Sequence, residues 1–396
     1  MNSEPFHRLH PHPARSGTAG LALLFMTTWG GLMQGRASGE VPYPDTLIEK
    51  TSPSTARIRW SESGFTLQSS RNLTDWSDEP GTAMGTSFAF SLEPRLPRII
   101  PVMRHATQVG AEALGLWYST DGYHYAELYP GDLYTGTPGN NVRDPSLLIR
   151  PDAWYLAYTA GTFGLTDHWG LAKSTNAGKS WQHVMDVPVT DSITTTWGPS
   201  FFVDPADQQV WIIISISTGG GNHLAYLQKA LNASLTAWDG GTPMSGALHP
   251  TQNNWIFDLR CVATDGYYYI IARSGAQPKI YRATAITGPF TLFKVPGTQW
   301  EADPAVALEQ CQLTHLGGGH WQANFTIPAL YELCVSETFD GMSTWTPRTR
   351  TLSYPGYVNN HQFSEWVLLS PALQTAIPAP ATWVEPPGHR FFRLRR

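Results

Sequence analysis

Arg143-Asp144-Pro145-Ser146-Leu147-Leu148-Ile149 opens a passage that continues as Ala153-Trp154-Tyr155-Leu156-Ala157-Tyr158, then Gly170-Leu171-Ala172-Lys173-Ser174, and closes on Ser180-Trp181. It reads as an acidic opening, an apolar strand, an aromatic strand, a third strand and a Ser/Gly hairpin ending in Trp. The same order returns from Trp197-Gly198-Pro199-Ser200-Phe201-Phe202-Val203 through Val210-Trp211-Ile212-Ile213-Ile214-Ser215. A third pass holds Phe257-Asp258-Leu259 and Tyr267-Tyr268-Tyr269-Ile270-Ile271-Ala272, and a fourth runs from Trp300-Glu301-Ala302-Asp303-Pro304 to Asp340-Gly341-Met342-Ser343-Thr344-Trp345. Openings at 144, 200, 258 and 301 are 56, 58 and 43 residues apart, enough for four strands and their turns, which is one propeller blade per pass. A fifth opening falls near His361. Too little chain follows to complete that blade, while Leu114-Gly115-Leu116-Trp117-Tyr118-Ser119 and Tyr123-His124-Tyr125 form a spare hairpin upstream of the first. The two ends of the repeat are therefore expected to share the fifth blade, leaving no open edge across the ring.

Composition agrees with an all-β chain. The 36 Gly and 31 Pro are spread along 396 residues, 12% are aromatic and only 14% charged. A net charge of -5 with no long basic run excludes nucleic acid and anionic membrane surfaces as partners. His7, Arg8 and Arg15, an apolar run from Ala19 to Met33 and the small residues Ala37-Ser38-Gly39 form a secretory signal over residues 1–39. The run is too short and too interrupted to serve as a retained span. The expected location is secreted, periplasmic or at a bacterial cell surface, as a monomer. Three cysteines are too few for a disulfide scaffold; if one pair forms, Cys311 with Cys334 is the best fit.

The expected organisation is a β-sandwich-like region over 40–100, a five-bladed β-propeller over 101–370, and a C-terminal strand segment over 371–396. Ile58-Arg59-Trp60, Phe65-Thr66-Leu67-Gln68-Ser69-Ser70 and Arg390-Phe391-Phe392-Arg393-Leu394 alternate at strand period. They form either one sandwich interrupted by the propeller or two remnants.

The innermost strand of each blade starts beside the ring axis, so the blade openings converge on one funnel. They supply Asp144, Ser200, Asp258, Glu301 and His361. Three carboxylates there suit glycoside hydrolysis, which needs one carboxyl protonated to donate to the leaving oxygen and one ionised to activate water. A third tunes the acid, because like charges held close raise one pKa. Asp beside Pro also caps turns at strand starts. Three acids in register favour the funnel. Arg143, Arg260 and Arg273 are candidates for binding sugar hydroxyl or carboxylate groups, and Trp197, Trp255, Phe257 and Trp300 for an apolar sugar platform.

With Asp144-Pro145, Phe257-Asp258 and Trp300-Glu301 in this order, residues 101–370 resemble glycoside hydrolase family 43 and its five-bladed relatives. The resemblance implies Asp144 as general base, Asp258 as pKa modulator and Glu301 as general acid of an inverting reaction, on arabinose-, xylose- or galactose-containing glycans. Asp303 is the alternative acid, because Ala302-Asp303-Pro304 stands where the family has a small pair. No cofactor is required; by the same resemblance His361 helps hold a structural calcium through water. Two other readings stay open. Ser174-Thr175-Asn176-Ala177-Gly178-Lys179-Ser180-Trp181 resembles the Asp-box turn of sialidases, and Arg98-Ile99-Ile100-Pro101 their arginine motif. A non-catalytic carbohydrate-binding propeller would keep the pocket without a productive acid pair. Export makes a simple test: N-terminal sequencing of secreted material should begin close to Glu40, and an intact Met1 would contradict the signal.

Overall fold

The computed structural model describes residues 98–351 apart from 106–110, 120–124, 138–140, 162–166, 190–194, 218–222, 250–255, 275–276, 297–299, 301–307 and 328–331, together with the strand backbones named below. Residues 1–39, where a secretory signal is expected, lie outside the described residues, as do Trp255, Glu301 and Asp303. The chain forms two compact units, Met1–Pro94 with Glu385–Arg396, and Arg95–Val384. The first unit holds β1 (Thr46–Ser52), β2 (Thr55–Trp60), β3 (Thr66–Ser70), β4 (Ser77–Asp78), β5 (Ser87–Ser91) and the C-terminal β27 (Phe391–Arg395), in two sheets ordered β1-β2-β5 and β27-β3-β4. The last strand of the chain pairs antiparallel with β3, Phe391 opposite Ser70 and Arg395 opposite Thr66.

The second unit is a five-bladed β-propeller. Four blades are consecutive four-stranded antiparallel meanders. Blade one is β9 (Arg143–Ile149), β10 (Trp154–Thr159), β11 (His168–Ser174) and β12 (Gln182–Pro188). Blade two is β13 (Thr195–Val203), β14 (Val210–Ser217), β15 (His223–Lys229) and β16 (Thr242–Pro243). Blade three is β17 (Ile256–Thr264), β18 (Tyr267–Ser274), β19 (Gln277–Ala283) and β20 (Thr291–Lys294). Blade four is β21 (Glu309–Gly317), β22 (His320–Ile327), β23 (Glu332–Thr338) and β24 (Thr349–Thr351). Blade five joins the two ends of the propeller: β25 (His361–Phe363) and β26 (Val367–Leu368) both pair with β6 (Arg98–Arg104), which continues to β7 (Ala113–Ser119) and β8 (Ala126–Glu127). The spare hairpin thus completes the blade that His361 opens. Among the described residues there is no α-helix, and no helix long and apolar enough to cross a membrane.

Each blade is covered on both faces by its neighbours, which explains why the second strands are continuous apolar or aromatic runs rather than alternating ones. Val210–Ser217 reads VWIIISIS, with all but Trp211 buried. Five core clusters fill the five junctions. Trp169 and Leu171 of blade one meet Ile212 and Ile214 of blade two, and Ile213 and Phe202 meet Leu259 and Ile270 of blade three. Tyr269 and Ile271 meet Trp321 and Phe325 of blade four. Leu333 and Val335 of blade four pack on Ile100, Val102 and Trp117, and Leu114 and Leu116 on Leu147 and Leu156 of blade one, closing the ring. A polar line also crosses the closing junction: Arg98 Nη1 donates to Gln322 Oε1 (2.6 Å), and Gln322 Nε2 donates to Glu337 Oε1 (3.2 Å), all three buried. Arg98 is therefore occupied between blades and does not line the funnel as a sialidase arginine would.

Three expectations change. Blade four begins at Glu309, because Trp300 lies before the strand and is buried in the blade core, stacked on Phe325 (4.9 Å between centroids) and edge-on to Trp345 (4.8 Å). It forms no sugar platform. Cys311 and Cys334 are both free. They sit on β21 and β23 with β22 between them, and two strand spacings of about 4.8 Å exceed the reach of about 7 Å that a disulfide allows.

The Ser/Gly hairpins between third and fourth strands are the same device three times. Asn176 Oδ1 accepts from Ser180 N (3.0 Å), Asn232 Oδ1 from Thr236 N (3.0 Å), and Asp340 Oδ1 from Thr344 N (2.9 Å), each ahead of a Trp. The likeness to the Asp-box is thus a matter of turn structure. Burial opposes ionisation of Asp340, but donors from Thr344, Thr338 and Ser343 outweigh it and hold the carboxyl down at about 2. A depressed folded pKa contributes stability that is complete above the unfolded value and lost as pH falls through about 2. Asp340→Ala should lower the melting temperature by a few degrees at neutral pH, with the gap to wild type closing as melts are repeated toward pH 2; a constant gap would show that ionisation plays no part.

Candidate active site at the ring centre

The inner strands of blades one to four share an irregularity near their starts. The ladder slips between Arg143 and Ser146, between Trp197 and Ser200, between Phe257 and Arg260 and between Glu309 and Gln312. At each slip one residue takes a left-handed backbone: Asp144 (φ 45), Gly198 (φ 56), Asp258 (φ 54) and Gln310 (φ 52). Such bulges re-aim a side chain out of the ladder. Blade by blade, the equivalent positions hold Asp, Gly, Asp and Gln. Sequence reasoning missed Gln310. The signal was available in the even spacing of 144, 198, 258 and 310, in place of the short step to 301.

The three side chains meet. Gln310 Nε2 donates to Asp144 Oδ1 and to Asp258 Oδ1, 3.1 Å each, which brings the two carboxylate oxygens within about 6 Å of one another. Asp144 Oδ2 accepts from Thr159 Oγ1 (3.1 Å), whose oxygen accepts from Gly198 N (2.8 Å), so blade two helps fix the blade-one acid. Asp258 Oδ2 accepts from Gln310 N (3.3 Å). Both aspartates are half-buried. Burial pushes the Asp144 carboxyl up; Arg143 opposes this and the charge of Asp258 adds to it. Burial likewise raises Asp258, and the neighbouring Glu309 carboxylate raises it further against Arg260 and Arg273.

Around this centre the expected binding residues divide. Arg260 is 1% exposed and donates to Leu259 O (2.9 Å) and Gln310 Oε1 (2.5 Å), so it supports the site from beneath rather than touching a sugar. Arg143 donates to the buried Glu112 (2.8 Å), with its guanidinium 6.0 Å from the centre of the Trp197 ring. Arg273 pairs with Glu309 and lies 5.8 Å from the Phe257 ring, which in turn packs on His223 at 4.2 Å. Trp197, Phe257, Arg143 and Arg273 remain partly exposed. His361 opens β25 opposite Arg104, and its side chain lies outside the described residues. Among the described residues no group of three or more His, Cys, Asp or Glu is placed to hold a metal.

A closed five-bladed ring with paired carboxylates at its centre is the class that fold and site define. No family model and no curated relative matches the chain. Among solved structures it is similar to an α-L-arabinofuranosidase from Clostridium thermocellum (TM-score 0.46, 13% identity, 79% of this chain and 95% of that one). It is similar also to the native arabinanase of Bacillus subtilis (0.45, 14%, 76% and 95%) and to an endo-1,4-β-xylanase from Bacteroides thetaiotaomicron (0.44, 15%, 65% and 89%).

Removing the Glu309 charge should lower the Asp258 pKa, since the largest like charge beside it would be gone. Titrating Asp258 by carboxyl 13C NMR in Glu309→Gln checks this; an unchanged or higher midpoint would show that the two do not interact.

Proposed function

We propose that the chain is an exported glycoside hydrolase acting by inversion, with Asp144 as general base, Asp258 as the carboxylate that tunes the acid, and Glu309 as the acid that protonates the leaving oxygen. The observation that carries this reading is the convergence of Asp144 and Asp258, from blades one and three, on a single nitrogen at the ring centre. Glycosidic bond cleavage needs two carboxyl groups flanking one sugar in different protonation states. Arg143 beside Asp144 favours its ionised form, and the like charge of Glu309 raises the Asp258 carboxyl against Arg260 and Arg273. Glu309, one residue before the bulge of blade four, takes the part that the sequence suggested for Glu301. Partly exposed Trp197 and Phe257 offer apolar rings to a sugar face, and the sequence resemblance points to arabinose-, xylose- or galactose-containing glycans.

The test is a panel of Asp144→Asn, Asp258→Asn, Glu309→Gln, Glu301→Gln and Asp303→Asn, assayed on aryl glycosides and on unactivated oligosaccharides. Asp144→Asn should reduce kcat/KM by about 10²-fold or more on every substrate. Glu309→Gln should spare substrates with good leaving groups and fail on the others. That leaving-group pattern in Glu301→Gln or Asp303→Asn instead would move the acid to the segment before the strand. Proton NMR of the first sugar released should show the inverted anomer. Because Asp144 is raised and must be ionised to act, kcat/KM should fall on the acid side with a midpoint above the ordinary carboxylate value of 3.8. A second reading, a carbohydrate-binding propeller, draws on the amide that occupies the space between the two aspartates; calorimetric binding of oligosaccharides without turnover would establish it.

A further inference from the structure

Gln310 stands where glycine would be free of strain. Its φ of 52 is close to the 56 of Gly198 at the equivalent place in blade two, a left-handed conformation that a residue with a Cβ adopts only under strain. The side chain is 3% exposed, so it cannot swing out to water. Its orientation is decided by its neighbours: Arg260 offers only donors, so the oxygen of the amide must face Arg260 and the nitrogen must face the aspartates. That nitrogen reaches one acid from blade one and one from blade three, 166 and 52 residues away in sequence. A strained backbone, a buried amide and a fixed orientation all direct attention to what the side chain does here.

We propose that Gln310 is the positioning residue of the acid pair: a neutral strut, oriented by Arg260, that fixes the separation of Asp144 and Asp258 and holds both carboxyls toward their ionised form. Neutrality is the essential property. Asp144 already faces Arg143, Arg260 and Asp258, and Asp258 faces Glu309, Arg260 and Arg273. A third carboxylate between them would force another proton into the centre, whereas an apolar side chain would leave the two acids facing each other with no donor between them. An amide supplies donors to both and adds no charge. The kinetic part of this inference rests on the hydrolase reading; the titration part does not.

The experiment uses the full chain with 13Cγ-labelled aspartate, resonances of Asp144 and Asp258 being identified through Asp144→Asn and Asp258→Asn. Gln310→Met removes both donors at similar length and should raise both midpoints, by about one pH unit. Gln310→Glu should raise at least one of them further. Gln310→Gly relieves the backbone, keeps the fold by its melting temperature, and should raise the midpoints as Gln310→Met does, which separates loss of the strut from loss of structure. On an aryl glycoside, the acid-side limb of kcat/KM should move up with Asp144, and kcat should fall more than 10-fold with a smaller change in KM. Midpoints that stay in place in Gln310→Met and Gln310→Gly overturn the strut, whatever the activity. Midpoints that move in a wild-type background that cleaves no glycoside uphold the strut and overturn the hydrolase reading.

Discussion

Everything at the centre of this molecule depends on the sheet that joins its two ends. A meander of blades has two free edges until the last strand pairs with the first, and here β25 and β26 from the end of the propeller lie against β6 from its beginning. That closure lets every blade bury both faces against a neighbour, and it puts Leu333 and Val335 of blade four against Ile100 and Val102 of blade five in the same manner as the other four junctions. It also fixes the axis. Residues as distant in sequence as Asp144 and Gln310 meet only because the ring has a set circumference. Opening the junction would therefore separate the groups at the centre as well as expose the core.

The centre combines burial with excess negative charge, and the two effects act in the same direction on Asp144 and Asp258. Arginines are arranged around the acids to limit this: Arg143 toward Asp144, Arg260 and Arg273 toward Asp258. None is left facing open solvent as a bare charge, since Arg143 is paired with Glu112, Arg260 holds Gln310, and Arg273 is paired with Glu309. A guanidinium group taken partly out of water is tolerated more readily when paired in this way.

The blade count, the shared fifth blade and the positions of Asp144 and Asp258 were legible in the sequence because each repeats a pattern tied to strand period and turn chemistry. The opening of blade four was not. Trp300-Glu301 carries the aromatic and acid that mark an opening, yet Trp300 serves the core between Phe325 and Trp345, and the residue in register is an amide, which no search for carboxylates finds. Arg260 looks like a candidate ligand-binding cation for a similar reason: sequence shows a charge beside an acid but not that its side chain is buried. The cysteines show the same limit, since their separation in sequence does not reveal that a whole strand runs between them.

The bulge positions also carry a lesson about symmetry. Four inner strands present the same left-handed seat to the axis, and three of the seats hold side chains joined through Gln310. The fourth is Gly198, where a Cβ would meet, among the described residues, only Asp258 Oδ1, at 3.8 Å. A ring of equal blades has no front or back in its own plane, so it could not tell one end of a ligand from the other. Two acids, one amide and one bare seat break that equivalence and give the centre an asymmetric outline built from four copies of one local structure.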